Sequence, residues 1–429
     1  MTSSPADSVQ PAKPSKPLWR RLFGAQESGL IIVIALMMAA LTLFGGTKPG
    51  SIERIALGSG VTAVDGSGDV LTIVGDAALR DQLVKVYGTS ADGPLAIKVG
   101  DQVTRIAVGA NPRVTGDDAD RQLLVRRTIN KFLDINNIVL VAKNASFIAI
   151  MAVGMTAIII MGGIDLSVGS VYALAAVIGA VALRKLHADS PDAGALTSVA
   201  TGLFVCCGLG ALCGAFNGVM IVGLRVHPFI ITLGTMAIFR GLVFILTKGE
   251  SISDFSPSFT KGFFKAEIGS GLYPVPIFVM IAVVAVGVFM LSRTVLGRRS
   301  YAIGGNETAA VYAGVPVGRV KIIFYTLCGL LAGLSACVYL GYLGAAEPGA
   351  GQGYELSVVA ATVIGGASLS GGRGSAAGAM LGAILVELIN NAMVILEIDQ
   401  SYTQIVMGTA IIAAVVVDQA KGKLTVRGK

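Results

Sequence analysis

Charge is what this sequence has least of: Asp, Glu, Lys and Arg make up 14% of it, against about 25% in an ordinary soluble domain. Aromatic residues add 6%, and histidine occurs only twice, as His187 and His227. With 54% of residues hydrophobic, a water-soluble fold of this length is excluded. A metal centre is not offered either. Cys206, Cys207, Cys213, Cys328 and Cys337 all fall inside apolar runs, none at ligand spacing with histidine, and read as small buried thiols. No nucleophile–base pair stands out, which argues against an intramembrane enzyme. No Gly-x-x-x-x-Gly-Lys-Ser/Thr loop occurs, so the chain cannot bind ATP by a P-loop and no cofactor is expected in it. The net charge of +7 does not point to nucleic acid, because the basic residues cluster at loops and termini.

What the sequence does have is glycine, 56 of them, and long apolar runs. The runs are continuous rather than alternating, so helices are expected to cross the membrane, not barrel strands. Plentiful glycine with few aromatics suits helices packed closely through small residues. The expected spans are Gly29–Phe44, Phe147–Ile160, Val168–Leu183, Leu196–Gly223, Phe229–Leu246, Leu272–Leu291, Lys321–Leu343, Leu356–Ile364, Ala376–Ile395 and Tyr402–Val417. The fold class is therefore an all-α polytopic membrane protein of about ten transmembrane helices, with broken helices, an internal repeat and a small β-rich extracytoplasmic insert.

Residues 1–28 are polar and basic towards their end, and read as a disordered cytoplasmic tail before a first transmembrane helix at 29–44. Residues 45–127 differ. They are charged, punctuated by Asp-Gly and Gly-Ser pairs, and carry alternating pieces at Val70–Val74 and Val103–Val108, as strands do. A permease-like core is expected over 128–418, with a large loop at 293–320 and a tail at 419–429. Basic residues set the orientation. Arg225, Arg293, Arg298, Arg299 and Arg373 share a face with both tails, whereas the opposite short loops hold chiefly Lys185, Lys248, Lys261 and Lys265. Both termini are expected in the cytoplasm and the insert outside.

The stretch Gly162–Ser170, Gly-Gly-Ile-Asp-Leu-Ser-Val-Gly-Ser, interrupts what would otherwise be one long apolar run. Glycine frees the backbone there, and Asp165 and Ser167 can bond N–H groups where a helix restarts. In lipid such a break survives only inside protein or beside a wet cavity, and its carboxylate is a functional candidate. A tight turn at the membrane surface, with Asp165 as a simple cap, is the competing reading. The stretch also has an echo. Gly162–Ala180 aligns without gaps on Gly365–Ala383, with 9 of 19 positions identical. Duplicated broken helices place a transporter site at the repeat interface, and the span count makes the two copies parallel.

In the large loop, Glu307–Tyr312 is expected to form a short helix begun by Gly305 and Asn306 and ended by Gly314 and Pro316. Ala309 and Ala310 would present a flat surface to another protein's groove. Glu307-x-Ala309-Ala310-x-x-x-Gly314 resembles the coupling-loop motif of ABC importer permeases. The fuller set resembles the ribose/xylose-type sugar permeases: Gly162–Gly169, Asn217-Gly218, Pro228–Thr235 with Arg240-Gly241, Ala302–Glu307, Tyr354-Glu-Leu, Gly365-Gly366 and Gly371–Gly374. The resemblance runs from about Phe132 to Asp418. It implies a bacterial inner-membrane permease that pairs with a second permease chain, a cytoplasmic ATPase and a soluble periplasmic sugar-binding protein. ATPase coupling would then fall to Arg298, Arg299, Gly305, Asn306, Glu307, Ala309, Ala310 and Gly314. The sequence departs from the family in two places: the insert at 45–127, and Asn390-Asn391 where an Asn-Gly pair is usual. The insert is open to two readings, a contact for the binding protein or a structural appendage.

Several residues are candidates for the translocation path or its gate: Gly162, Gly163, Asp165, Ser167, Asn217, Phe229, Thr232, Thr235, Arg240, Gly365 and Gly366. Tyr172 is a further group that could line the path, and for it, Asn217, Thr232 and Thr235 helix packing is the alternative role. Arg240 lies mid-span, where an unpaired charge is costly, so a partner is required. Asp165 or a backbone carbonyl in another break is expected to supply it. His227 reads as a surface residue before Pro228, which starts a helix. Ionisable groups within spans are few, chiefly Asp165 and Glu387 with Glu355 at a helix edge. That is thin for an ion-coupled carrier, the main rival to an importer powered by a separate ATPase. A permease for another solute, such as branched-chain amino acids, is the nearer alternative.

Overall fold

A computed structural model describes residues 25–57, 61, 63–65, 70–109, 111–116, 121–266, 273–410, 412, 413 and 416. The expected tails lie outside the described residues except for 25–28, as do Leu272 and part of the last expected span, Tyr402–Val417. In chain order the elements begin with α1 (Ala25–Phe44), β1 (Thr47–Ala56), β2 (Ala63–Asp65), β3 (Leu71–Val74), α2 (Ala77–Tyr87), β4 (Leu95–Val99) and β5 (Gln102–Ile106). Next come β6 (Arg113–Thr115), β7 (Gln122–Asn130), α3 (Ile135–Ile160), α4 (Val168–Asp189), α5 (Ala195–Leu224) and α6 (Pro228–Thr247). The chain continues with α7 (Val275–Arg293), α8 (Val295–Gly305), α9 (Glu307–Tyr312), α10 (Val317–Leu343), α11 (Tyr354–Ile364) and α12 (Ala376–Ile395).

Eight of these helices are long and apolar enough to cross a membrane. The expected eighth span is not among them. It corresponds to α11, whose 11 residues rise only about 16 Å. The second span is longer than expected, starting at Ile135 rather than Phe147. Lys143 and Asn144 interrupt the apolar run within these added residues, and both are accommodated. Lys143 is buried with its ammonium 4.0 Å from the centre of the Tyr342 ring. Asn144 donates from Nδ2 to Glu387 Oε1 at 2.9 Å.

The chain forms two compact units. The larger holds Val141–Ile389 with the described parts of Met1–Leu36 and Ser401–Lys429. Its central contact is the antiparallel pair α5 and α10, where backbones touch. A Cβ on Gly210 would sit 2.2 Å from the Gly329 carbonyl oxygen, and one on Gly329 would sit 2.1 Å from that of Gly210. One helical turn to either side, Gly214 meets the Tyr325 carbonyl and Gly333 meets that of Cys206. Small residues at four-residue spacing permit this approach, the device expected where lipid gives helices no hydrophobic reason to associate.

The second unit comprises Met37–Leu140 and Asn390–Gln400. β1 and β7 form an antiparallel ribbon from the Thr47–Asn130 pair to the Ala56–Gln122 pair, with β6 on its edge. A second sheet, in the order β2-β3-β4-β5, contains a parallel β3–β4 pair. A parallel pair needs a crossover, supplied by α2, a helix the sequence reading missed. Its signal was present: the Asp76 side chain caps the helix by accepting from Leu79 N–H at 2.8 Å. Leu79, Leu83, Val84 and Tyr87 then recur at helical spacing. Leu83 packs with Ile73, Leu95, Ile97 and Ile106 in the unit's own core. Asn391 exchanges amide hydrogen bonds with Asn137, at 2.7 and 3.2 Å.

Candidate functional site

The first break starts where α3 unwinds. Gly162 N–H bonds the Ile159 carbonyl and Gly163 N–H reaches back to that of Ile158, with Gly162 at φ +76°. That left-handed turn is a common helix ending and favours glycine. The chain then rises to α4 through a set of buried polar groups. Asp165 is 1% exposed, and its Oδ1 accepts from the Ser167 backbone N–H at 2.9 Å and from the Ser167 hydroxyl at 2.7 Å. Asn217 Nδ2 donates to Ser167 Oγ at 2.8 Å. Asn217 precedes the end of α5 at Leu224 by two turns, so this net lies about 10 Å inside that helix end. The polar groups of the break are therefore buried in protein, while Gly162 at the turn itself is exposed. Asp165 braces the turn before α4, while Ser167 makes no side-chain bond to the first N–H groups of α4.

The second break ends α11 by the same device. Gly366 N–H bonds the Val363 carbonyl, Ala367 N–H that of Thr362, and Gly366 has φ +103°. Structurally Gly162 therefore matches Gly366, one position from the gapless alignment, which pairs it with Gly365. The alignment also fails beyond the turn. It would restart the helix at Gly371, yet α12 begins at Ala376. A compact turn absorbs the difference, with Ser368 N–H bonded to the Arg373 carbonyl and Gly371 N–H to that of Ser368. The Thr362 hydroxyl lies 3.4 Å from the Ala152 carbonyl, and Gly372 N–H bonds the Ile160 carbonyl at 2.8 Å. α3 and α11 thus run in the same sense, and the copies are parallel.

Both breaks meet on the Arg298–Gly314 segment. Its first part is helical, which the sequence reading missed. α8 is capped by Thr294, whose hydroxyl accepts from Gly297 N–H at 3.1 Å, so Arg298 and Arg299 lie on a helix. α8 ends with Gly304 wedged between the two turns. A Cβ there would lie 1.7 Å from the Ile160 carbonyl oxygen and 2.5 Å from Gly372 N. Tyr301 donates its hydroxyl to the Gly374 carbonyl at 2.7 Å. α9 follows as expected, with the Asn306 side chain accepting from Ala309 N–H at 2.9 Å and Gly314 closing it at φ +78°. The two alanines do not form one surface, however. Successive helical residues point about 100° apart, so Ala309 is exposed while Ala310 is buried. The outward face is Thr308, Ala309, Val311 and Tyr312, the last 88% exposed. Glu307 pairs with Lys321 of α10 at 2.7 Å. The pair borders a cavity of about 180 Å³ that also touches Gly162, Gly163, His227 and Tyr325.

α6 divides its candidates. Phe229 faces outward, 45% exposed. The Thr232 and Thr235 hydroxyls donate within their own helix, to Pro228 at 3.0 Å and Thr232 at 3.3 Å, and the Thr232 hydroxyl also lies 3.5 Å from the Ile164 carbonyl of the first break. Arg240 does not meet Asp165. Its guanidinium donates to the carbonyls of Pro348 (3.1 Å), Ala350 (2.7 Å) and Gly169 (3.4 Å). It ties the turn before α11 to the start of α4. Sequence reasoning placed Gly304 and Gly372 only within motifs, without a role, and had not singled out Tyr301 or Pro348. The glycine-rich run Gly371–Gly374 was the available signal, but only the fold shows what it touches.

The family described as branched-chain amino acid transport system / permease component matches residues 137–415. The ribose import permease protein of Escherichia coli (strain K12) is 41% identical over 291 residues, 68% of this chain and 88% of that protein. The D-allose transport system permease protein of the same strain is 37% identical over 292 residues, 68% of this chain and 86% of its own length. The fructose import permease protein of Rhizobium meliloti is 35% identical over 298 residues, covering 67% and 79%. No solved structure matches.

Proposed function

The chain belongs to this family of ABC importer permeases, and on that premise we propose that it is the membrane-spanning subunit that carries a monosaccharide into the cell. The sugar class rests on the ribose, allose and fructose permeases that it resembles. A separate ATPase powers the cycle, a soluble binding protein delivers the sugar, and a second permease chain completes the passage. The chain sits in the bacterial inner membrane with both termini in the cytoplasm and the 45–127 insert outside.

One observation carries the mechanism: Gly304 of α8 is seated on the Ile160 carbonyl and beside Gly372 N, touching both breaks at once. α9 offers the ATPase its exposed Thr308, Ala309, Val311 and Tyr312. Movement of α9 is passed through α8 to the turns that end α3 and α11. The two turns share the Gly372–Ile160 hydrogen bond, so displacing one displaces the other. The Arg240 clamp then couples the start of α4 to the turn before α11.

The test is ATP-driven uptake of radiolabelled D-ribose by cells carrying the complete system, with membrane abundance measured in parallel. Ala309→Arg places a long charge in the ATPase-facing surface and is expected to abolish uptake and co-purification of the ATPase at normal abundance. Sugar uptake by the reconstituted chain alone, without any ATPase, would instead establish an ion-coupled carrier. Deleting the insert over 51–120 separates its two readings, because unchanged uptake at normal expression would leave it a structural appendage.

A further inference from the structure

A second cavity, of about 240 Å³, lies between α4, α6 and the start of α11. It holds the volume of about eight waters at roughly 30 Å³ each, the size class of a single sugar ring. Ser170, Arg240, Gln352 and Glu355 supply its polar lining, and Met236 and Phe244 form an apolar wall. The Glu355 carboxylate is half-buried and makes no hydrogen bond or ion pair with the described residues. A carboxylate drawn into a bundle needs donors, which the protein here does not provide. Arg240, which lines the same cavity, spends both Nη1 hydrogens on the Pro348 and Ala350 carbonyls and one of Nη2 on Gly169. Its fork is thus largely occupied, and Gln352 is exposed with donors and an acceptor to offer.

We infer that this cavity is a subsite for a neutral polyhydroxylated ligand, a monosaccharide, whose hydroxyls donate to Glu355 and exchange hydrogen bonds with Gln352 and Ser170. The apolar C–H face of the ring rests on Met236 and Phe244. This deepens the import reading above and rests on it. Hydroxyls suit the cavity because each is both donor and acceptor, and can serve an acceptor-only carboxylate beside an amide. An aliphatic amino acid fits less well, since its carboxylate would have to displace the carbonyls that hold Arg240. The wall of the cavity is fixed from behind. Tyr172 packs its ring against Gly351 and lies 5.4 Å from the ring centroids of both Tyr339 and Tyr354.

Two measurements test the assignment. In cells with the complete transport system, Glu355→Gln and Gln352→Ala are each expected to lower radiolabelled D-ribose uptake at least tenfold at unchanged membrane abundance. In the purified full-length chain, Gln352→Cys is labelled with a maleimide, and D-ribose is expected to slow that labelling while L-leucine does not. If wild type imports ribose, both variants match it and no sugar slows the labelling, the cavity assignment falls and the import reading stands. If no sugar enters wild-type cells yet ribose still shields position 352, the import reading falls and the subsite stands. Shielding by leucine but not by ribose overturns the ligand class.

Discussion

The two breaks end their helices alike and continue differently. After Gly162 the chain is held by side chains: Asp165, Ser167 and Asn217 form a buried chain of hydrogen bonds. After Gly366 the turn closes on backbone bonds, Ser368 with Arg373, Gly371 with Ser368 and Gly372 with Ile160, with the Tyr301 and Ser375 hydroxyls bonded beside them. Side chains can specify one geometry at a buried site, because leaving a buried donor without its acceptor is costly. The second turn is rich in positive-φ glycine, which lets neighbouring backbone press close to it at Gly304 and Ile160. Gly304 and the Ile160 carbonyl are thus where the two breaks bear on each other.

The comparison can be broken most severely where both breaks share a neighbour. Gly304→Val puts atoms where the Ile160 carbonyl and Gly372 stand, and D-ribose uptake should fall by about a hundredfold; near-normal uptake would mean that α8 does not bear on the breaks. A smaller loss is expected at the first break alone. Asp165→Ala strands the Ser167 N–H and hydroxyl, destabilising the turn by about 1–3 kcal/mol, whereas Asp165→Asn keeps an acceptor in place. Thermal unfolding of the purified chain should separate the two, and equal losses would show that charge rather than the hydrogen bond matters. Milder still is the second break. The Ser375 hydroxyl caps α12 by accepting from Gly378 N–H at 3.0 Å and donates to Glu27 Oε1 at 2.8 Å, so Ser375→Ala should cost about 1 kcal/mol. A loss as great as that of Asp165→Ala would erase the distinction between the breaks.

The smallest effect is a control outside both. Lys48 bonds Asp134 at 2.5 Å and holds its carboxyl below the usual carboxylate range. A lowered folded pKa contributes stability that is present above the ordinary carboxylate range and lost as pH falls through the depressed value. Acidification should therefore loosen the unit containing Met37–Leu140 by an increment that Lys48→Met removes. Hydrogen exchange at β1 would read it, and an unchanged acid response in the variant would count against the pair.

Much of this was legible in the sequence because lipid forces long apolar helices, and glycine and proline mark where they stop. Glu307–Tyr312 was found to the residue, since Asn306, Gly314 and Pro316 are local signals. What escaped depended on partners distant in the chain. Lys143 and Asn144 hid twelve residues of α3, because a polar side chain ends an apolar run unless something like Tyr342 or Glu387 receives it. The echo misaligned its glycines by one for a related reason. Identity was highest over Gly-Gly, whereas the turn is fixed by which glycine takes positive φ. Arg240 was seen to need a partner, but the Pro348 and Ala350 carbonyls carry no residue identity that a sequence could advertise.

The seam between α5 and α10 bears on how such a protein can move at all. With Gly210 and Gly329 in backbone contact, and the next turns equally close, sliding or rolling either helix would drive carbonyls into carbonyls. The pair is therefore a stator: a fixed frame against which other parts are displaced. Alternating exposure of the passage has to be generated by the elements hung on that frame, and the interrupted helices are the ones with joints.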